Sequence, residues 1–293
     1  MSKVVVFGGS GFIGSHICDL FSLNGYDVYL YDIVSSKYLK DNQTMVVGDV
    51  LDQKLIDKTV KGADYVYHFA GIADIKQAYE NPVETIKINI LSTTYILDSC
   101  VKYGVKKFMF ASTIYVYSNH GSFYKVSKQA SELIIESYGK SFGLKYSIMR
   151  YGSLYGKRAP STNSLQKMIT EAIEKGEINR DGDGNEVRDY INVHDAARAS
   201  YELLYKETDS NYFMITGSQS YKIKEILQMI KEMFNGDIAI NFSGSTQEEH
   251  YHITPYNFKP NVAKKYTVAT NLDLGQGILE SIYDCYEDIK NFD

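Results

Sequence analysis

Three pairs of the form Tyr-x-x-x-Lys occur in the 293-residue sequence: Tyr103/Lys107, Tyr124/Lys128 and Tyr286/Lys290. A helix sets residues four apart on one face, so each pair could place a phenol beside an ammonium or be an idle surface contact. Context separates them. Gly104 interrupts the first pair just before a strand, and the third belongs to the C-terminal tail. Only Tyr124/Lys128 opens a long helix directly after a strand that carries Ser112 and Thr113. A phenol so placed suits proton transfer. Free tyrosine titrates near pH ~10, so a phenolate at neutral pH needs a shift of roughly 3 units, about 4 kcal/mol, which nearby positive charge can supply.

A second constellation lies at the start of the chain. The apolar run from Val4 to Phe7 leads into Gly8-Gly9-Ser10-Gly11-Phe12-Ile13-Gly14, which opens a helix. The first glycine permits a tight turn, the next lets the backbone approach a pyrophosphate, and Gly14 lets helix and strand pack closely. The free N–H groups of the helix start then face the phosphates. Asp32 ends the second strand, where its carboxylate can accept from the adenosine ribose hydroxyls and would repel a 2′-phosphate, favouring NAD over NADP. A bare glycine triplet serves many turns, but here strand, loop, helix, second strand and acid come in order.

The elements that must hold these residues alternate through the first half. Strand-like runs fall at Val4 to Phe7, Asp27 to Tyr31, Met45 to Val47, Tyr65 to Phe69, Lys107 to Ala111 and Tyr146 to Met149. Between them lie helical patterns, notably Phe12 to Leu23, Glu84 to Val101 and Tyr124 to Phe142. Alternation of this kind predicts an α/β fold: a Rossmann-type doubly wound parallel sheet with helices on both faces. The second half is less regular. Helices are expected at Ser164 to Lys175, Asp195 to Tyr205, Ile223 to Phe234 and Gly277 to Lys290, and strands at Val187 to Asn192, Tyr212 to Ile215 and Ile238 to Asn241. The expected division is a dinucleotide-binding domain over residues 1–155, with 187–210 returning to it, and a smaller C-terminal α/β substrate domain over 156–293. A ligand would lie in the cleft above the C-terminal ends of the strands.

Together with those motifs, further segments carry a family resemblance. They are Gly48-Asp49-Val50 after the third strand, His68-Phe69-Ala70-Gly71 after the fourth, Asn89 in the long helix, and Ala111-Ser112-Thr113. Later come Tyr124-Lys125-Val126-Ser127-Lys128, Arg150 to Gly156, and Val187-Arg188-Asp189-Tyr190-Ile191-Asn192-Val193-His194-Asp195. The sequence resembles the extended short-chain dehydrogenase/reductases, in their branch of NAD-dependent sugar-nucleotide epimerases and dehydratases of the UDP-glucose 4-epimerase type. The resemblance implies NAD bound by Gly8, Gly11, Phe12, Ile13, Gly14, Asp32, Asp49, Val50, Phe69, Ala70, Gly71, Asn89, Tyr124 and Lys128. Within that set Asp49 would reach the adenine amino group, and Asn89 serves more as a structural hydrogen-bonding residue than as a direct ligand. It implies Thr113, Tyr124 and Lys128 as the catalytic residues. The substrate, a nucleotide-diphosphate sugar, would meet Thr113, Ser153 and Arg188, the last on its diphosphate. Asp49 could instead be a turn residue, and Arg188 beside Asp189 a surface ion pair. The resemblance also implies a homodimer formed by the helices Glu84–Val101 and Tyr124–Phe142.

The family's dehydratases carry an Asp-Glu pair directly after the catalytic threonine, and its decarboxylases keep the glutamate. Here Ile114 and Tyr115 occupy those places. Hydride and proton transfer remain: 4-epimerisation through a transient keto-sugar is the leading expectation, with 4-oxidation or keto-sugar reduction as alternatives, the last disfavoured by Asp32. Other departures lie on the substrate side: a shortened stretch from Tyr117 to Tyr124, Ser118 and Ser153 in place of a glycine and an asparagine, and the segment His250 to Tyr256. A non-catalytic dinucleotide-sensing protein would have no use for Thr113, Tyr124 and Lys128 together.

Composition narrows the field from outside. A formal net charge of -5 argues against general nucleic-acid binding, which needs a basic stripe. No run approaches the ~18 apolar residues of a membrane span. The three cysteines, Cys18, Cys100 and Cys285, follow no metal-ligand spacing and suit a reducing, cytoplasmic setting. The six histidines are scattered without H-E-x-x-H, so no metal is expected, and no G-x-S-x-G elbow marks a serine hydrolase.

Overall fold

The computed structural model describes residues 1–206, 211–244, 250–256 and 263–290. The chain runs β1 (Lys3–Phe7), α1 (Phe12–Leu23), β2 (Asp27–Asp32), β3 (Gln43–Val47), α2 (Gln53–Val60) and β4 (Tyr65–His68). It continues through α3 (Ile75–Glu80), α4 (Pro82–Ile86), a π-helical turn (Lys87–Leu91), α5 (Ser92–Lys102), β5 (Lys107–Thr113) and a 3-10 turn (Ile114–Tyr117). Next come α6 (Ser122–Phe142), β6 (Tyr146–Tyr151), β7 (Ser153–Tyr155), α7 (Ser164–Lys175), β8 (Glu177–Arg180), β9 (Val187–Arg188), β10 (Tyr190–Asn192) and α8 (Val193–Tyr205). The remainder is β11 (Tyr212–Ile215), β12 (Tyr221–Lys222), α9 (Ile223–Met233), β13 (Ala239–Phe242), β14 (Lys264–Lys265) and α10 (Leu274–Lys290).

Eight strands form one parallel sheet in the order β14-β11-β6-β5-β4-β1-β2-β3, with helices on both faces. Strand order reverses at β1, so the crevice above β1 and β4 is the natural ligand position. The central strands are apolar on both faces: Val4, Val5, Val6 and Phe7 are all buried. Val4 and Val6 pack toward α1 and α8, and Val5 and Phe7 toward α2, α5 and α6. A separate apolar cluster unites α7, α9 and α10 through Ile169, Ile226 and Ile278. β11 and β14 lie beyond residue 156 yet complete the large sheet, so the sheet is not confined to residues 1–155.

Two expected elements are broken. The helix expected at Glu84 to Val101 is interrupted by the π-helical turn around Asn89, whose backbone oxygen accepts from Thr93 Oγ1 at 2.7 Å and Ser131 Oγ at 3.1 Å. The strand expected at Val187 to Asn192 divides at Asp189: β9 pairs antiparallel with β12, and β10 pairs parallel with β7. Ser220 donates to the Asp189 carboxylate at the break.

One buried ion pair locks the centre of the sheet to α6. Arg150 Nε and Nη2 donate to the two oxygens of Glu132 at 2.9 and 2.6 Å, while Ser112 Oγ donates to Oε1 at 2.6 Å. The guanidinium lies between the rings of Tyr117 and Tyr212, 4.7 Å from each centroid. Removing one partner leaves the other charge uncompensated, whereas replacing both does not. Arg150→Met should lower unfolding free energy by about 3–5 kcal/mol in urea titrations, and the double variant Arg150→Met/Glu132→Leu should recover much of it.

Candidate active site

β5 ends on Thr113, and α6 starts nine residues later at Ser122, so strand end and helix start converge above the sheet. The link is a 3-10 turn and a short loop closed by Gly121, whose φ of +97° favours glycine. A Cβ there would stand 2.8 Å from Cδ1 of Tyr115. The shortened loop is therefore tight, and it aims Tyr124 at Thr113. The Thr113 hydroxyl is hydrogen-bonded to the Tyr124 phenol. Burial pushes that phenol up to about 12, and the Thr113 bond pulls the other way. On the chain's own atoms Tyr124 is a neutral acid at pH 7.

Lys128, one turn further along α6, is buried and donates from Nζ to the Ala111 carbonyl at 2.9 Å. Its ammonium sits 4.9 Å from the Phe110 ring centroid. Burial lowers it to about 8, opposed by the negative charge of Glu132. Tyr103 and Lys107 share no helix, since α5 ends at Lys102 and Lys107 begins β5; Tyr286 and Lys290 lie on α10, far along the chain.

The glycine loop is a cradle that side chains would fill. Gly8 has a φ of +82°, and a Cβ on it would meet Ala70 N at 2.6 Å; one on Gly14 would meet Gly8 O at 2.0 Å. Phe12 and Ile13 start α1, and Ser10 N donates to Asp32 Oδ2 at 3.0 Å. Asp49 is exposed and accepts from Leu51 N at 2.8 Å, so it is a turn residue with one oxygen to spare. Val50 is buried among the apolar residues under α2. Phe69 and Ala70 follow β4, and Lys128 Nζ lies 3.8 Å from where a Cβ of Gly71 would stand. The cradle, the helix N-terminus and the acid at the end of β2 fit a dinucleotide.

Asn89 lies beside Gly71 and makes structural hydrogen bonds, in keeping with its reading as a structural residue more than a direct ligand. Its Oδ1 accepts from Ile72 N at 2.7 Å, and its Nδ2 donates to Ile72 O at 3.0 Å and Ser127 Oγ at 2.8 Å. The amide is fully engaged, bracketing the loop after Gly71 to α6.

A cavity of about 370 Å³ is lined by Tyr115, Ser153, Arg180, Arg188 and His250 among others. Arg188 is buried, not a surface partner of Asp189: Nη1 donates to Tyr251 O at 2.7 Å, and the guanidinium stacks 4.3 Å from the Tyr251 ring. Ser153 is hydrogen-bonded to the Tyr251 hydroxyl. Ile114 turns away into an apolar cluster with Met214 and Tyr251. Tyr115 faces the cavity, 6.4 Å ring to ring from Tyr124, and its hydroxyl bonds His250 Nδ1 at 2.6 Å. Burial and then the Arg188 and Arg180 charges hold His250 down to about 4, so it is neutral. Sequence reading did not assign Tyr115 or Arg180 to the site, and it placed His250 only within a substrate-side segment. Among the described residues no group of three or more His, Cys, Asp and Glu side chains could hold a metal ion.

Residues 4–215 match the NAD-dependent epimerase/dehydratase family. The chain belongs to that family. Within this NAD-dependent epimerase/dehydratase family, it is 32% identical to a Methanocaldococcus jannaschii protein provisionally named a UDP-glucose 4-epimerase, over 78% of this chain and 81% of the relative. It is 26% identical to a UDP-N-acetyl-alpha-D-glucosaminuronate decarboxylase of Bacillus cytotoxicus, over 99% of both. The solved UDP-glucose 4-epimerase of Thermotoga maritima with UDP-glucose superposes with a TM-score of 0.86 at 25% identity, over 98% of this chain and 99% of that one.

Buried Lys128 gives this family member a pH signature. Between about pH 8 and the ordinary lysine value the unfolded chain binds more protons than the folded one, so this group makes stability rise with pH there. The rise should total roughly 3 kcal/mol over the full window. Urea midpoints measured from pH 7 to 10 should climb relative to those of Lys128→Met, which lacks the group.

Proposed function

We propose that the chain is a nucleotide-sugar 4-epimerase that uses NAD, held by the Gly8–Gly14 cradle, Asp32 and Lys128. Bound NAD would take a hydride from C4 of the sugar and give it back. The chain's own residues handle the proton. Thr113 would hold the reacting hydroxyl toward Tyr124; with the positive nicotinamide ring of bound NAD and the Lys128 ammonium favouring its phenolate, Tyr124 would take that proton and later return it to the keto oxygen. Arg188 would grip the diphosphate and Ser153 would face the sugar. In this reading residues 1–155, with 187–210, carry the cofactor, and 156–293 supply most of the substrate contacts.

The observation that carries the choice of reaction is the pair after Thr113. Ile114 is buried in an apolar cluster and Tyr115 is a phenol bonded to a neutral histidine, so neither can expel water from the sugar. The two named 4-epimerases above are consistent with this reading, while the decarboxylase likeness makes the product the deciding measurement.

Incubation with NAD and a panel of nucleotide-sugars, followed by mass spectrometry and NMR, should yield an epimer of unchanged mass. Loss of two hydrogens with NADH accumulating would assign a dehydrogenase instead, and loss of water or carbon dioxide would overturn the proposal. Tyr124→Phe should lower kcat by about 10²–10⁴-fold while NAD content stays the same.

The proposed homodimer rests on an apolar stripe. Phe123, Val126, Ala130 and Leu133 recur at helical spacing along α6, and Val126 and Leu133 are 51% and 61% exposed. Leu133→Glu should convert a dimer to a monomer in sedimentation velocity. A cytoplasmic setting is proposed from the three buried free thiols; no described helix is long and apolar enough to cross a membrane.

A further inference from the structure

Arg180 ends β8 and lines the same cavity as Arg188, which lies on β9. Its side chain is only 15% exposed. Burial at that depth calls for a full set of partners, yet among the described residues the head of Arg180 has one hydrogen bond: Nη2 donates to Glu186 Oε1 at 3.1 Å. Its Nε is buried with no partner among the described residues. An unmet buried donor on a cation is costly, and it leaves Glu186 as the one acidic partner offsetting the charge at the cavity wall among the described residues. Arg188, across the cavity, has committed Nη1 to two backbone carbonyls, Val187 O and Tyr251 O, which fixes the plane of its fork.

Two guanidiniums facing one polar cavity are matched in charge and geometry to an anion with several oxygens on adjacent centres. Both are felt by His250, which they help keep neutral at the cavity wall. We propose that Arg180 is a second diphosphate-binding residue, acting with Arg188 on the two phosphoryl groups, and that Glu186 holds it in place until the ligand arrives. This inference rests on the nucleotide-sugar reading above. It assigns Glu186 as a positioning residue, since its carboxylate touches Arg180 and would oppose an incoming phosphate.

Calorimetric titration with UDP, dTDP, GDP and CDP tests it without any sugar, and UMP serves as the single-phosphate control. With the nucleoside diphosphate that binds the wild type, Arg180→Gln should weaken binding at least about 10-fold, with a smaller loss for UMP or its matching monophosphate. Arg180→Lys should recover part of the loss, because it keeps the charge but not the fork. Glu186→Gln should keep or tighten diphosphate binding despite any fall in Tm. If Arg180 and Glu186 are only a structural bridge, both variants will lower Tm alike and leave diphosphate affinity unchanged, which overturns the inference. A loss seen only with a uronic-acid sugar and not with the bare diphosphate overturns it too, by moving Arg180 to a sugar carboxylate. Failure of the wild type to bind any nucleoside diphosphate would sink the nucleotide-sugar reading itself, and the inference with it.

Discussion

A buried guanidinium–carboxylate bond holds the three elements of the candidate active site in one register. Ser112 on β5 and Arg150 on β6 both engage Glu132 on α6, so the strand bearing Thr113 and the helix bearing Tyr124 and Lys128 cannot slide independently. Buried ion pairs contribute little net stability, because desolvation offsets their attraction. The gain here is geometric. Glu132 lies one helical turn after Lys128, and its charge opposes the loss of the lysine's proton to burial. The same carboxylate therefore sets the orientation of α6 and tempers the chemistry on it.

A second tie runs from the cofactor side. Asn89 spends its whole amide on Ile72 and Ser127, and the π-helical turn frees its backbone oxygen for Thr93 and Ser131. The loop after β4 is thereby fixed to α6 close to Lys128. Opposite, the glycine cradle admits no side chain at Gly8 or Gly14 without collision with backbone. The dinucleotide side is thus rigid and closely determined, which fits its match to a family shared by enzymes of different reactions.

The substrate side is built by a different kind of contact. Tyr115 reaches His250 across 135 residues, and Arg188 reaches the carbonyl of Tyr251 across 63. These polar contacts close a cavity next to Tyr115 in which burial, and then the two arginines, keep the histidine neutral. Apolar burial of Ile114 removes one of the two places from which an acid could act. Reaction type then depends on which side chains point inward, a property of packing and not of the residue list.

Much of the fold was legible because its signals are local. Helix α1, helix α7 and strand β11 fall where periodicity set them, and the glycine spacing, Asp32 and the Tyr124/Lys128 pair follow from turn and helix geometry within a few residues. Short elements such as β7, β8, β12 and β14 were not legible: they are two to four residues long and lack the continuous apolar run that marks β11. The sequence by itself determined the parallel α/β sheet, the dinucleotide loop and the helix that carries the phenol and the ammonium. Only the tertiary structure decided that Asn89 is a bracket, that Arg188 is buried, that Glu132 and Arg150 lock the sheet to α6, and that Tyr115, Arg180 and His250 share one cavity. Those facts rest on distances between elements remote along the chain, and no spacing within one element encodes them.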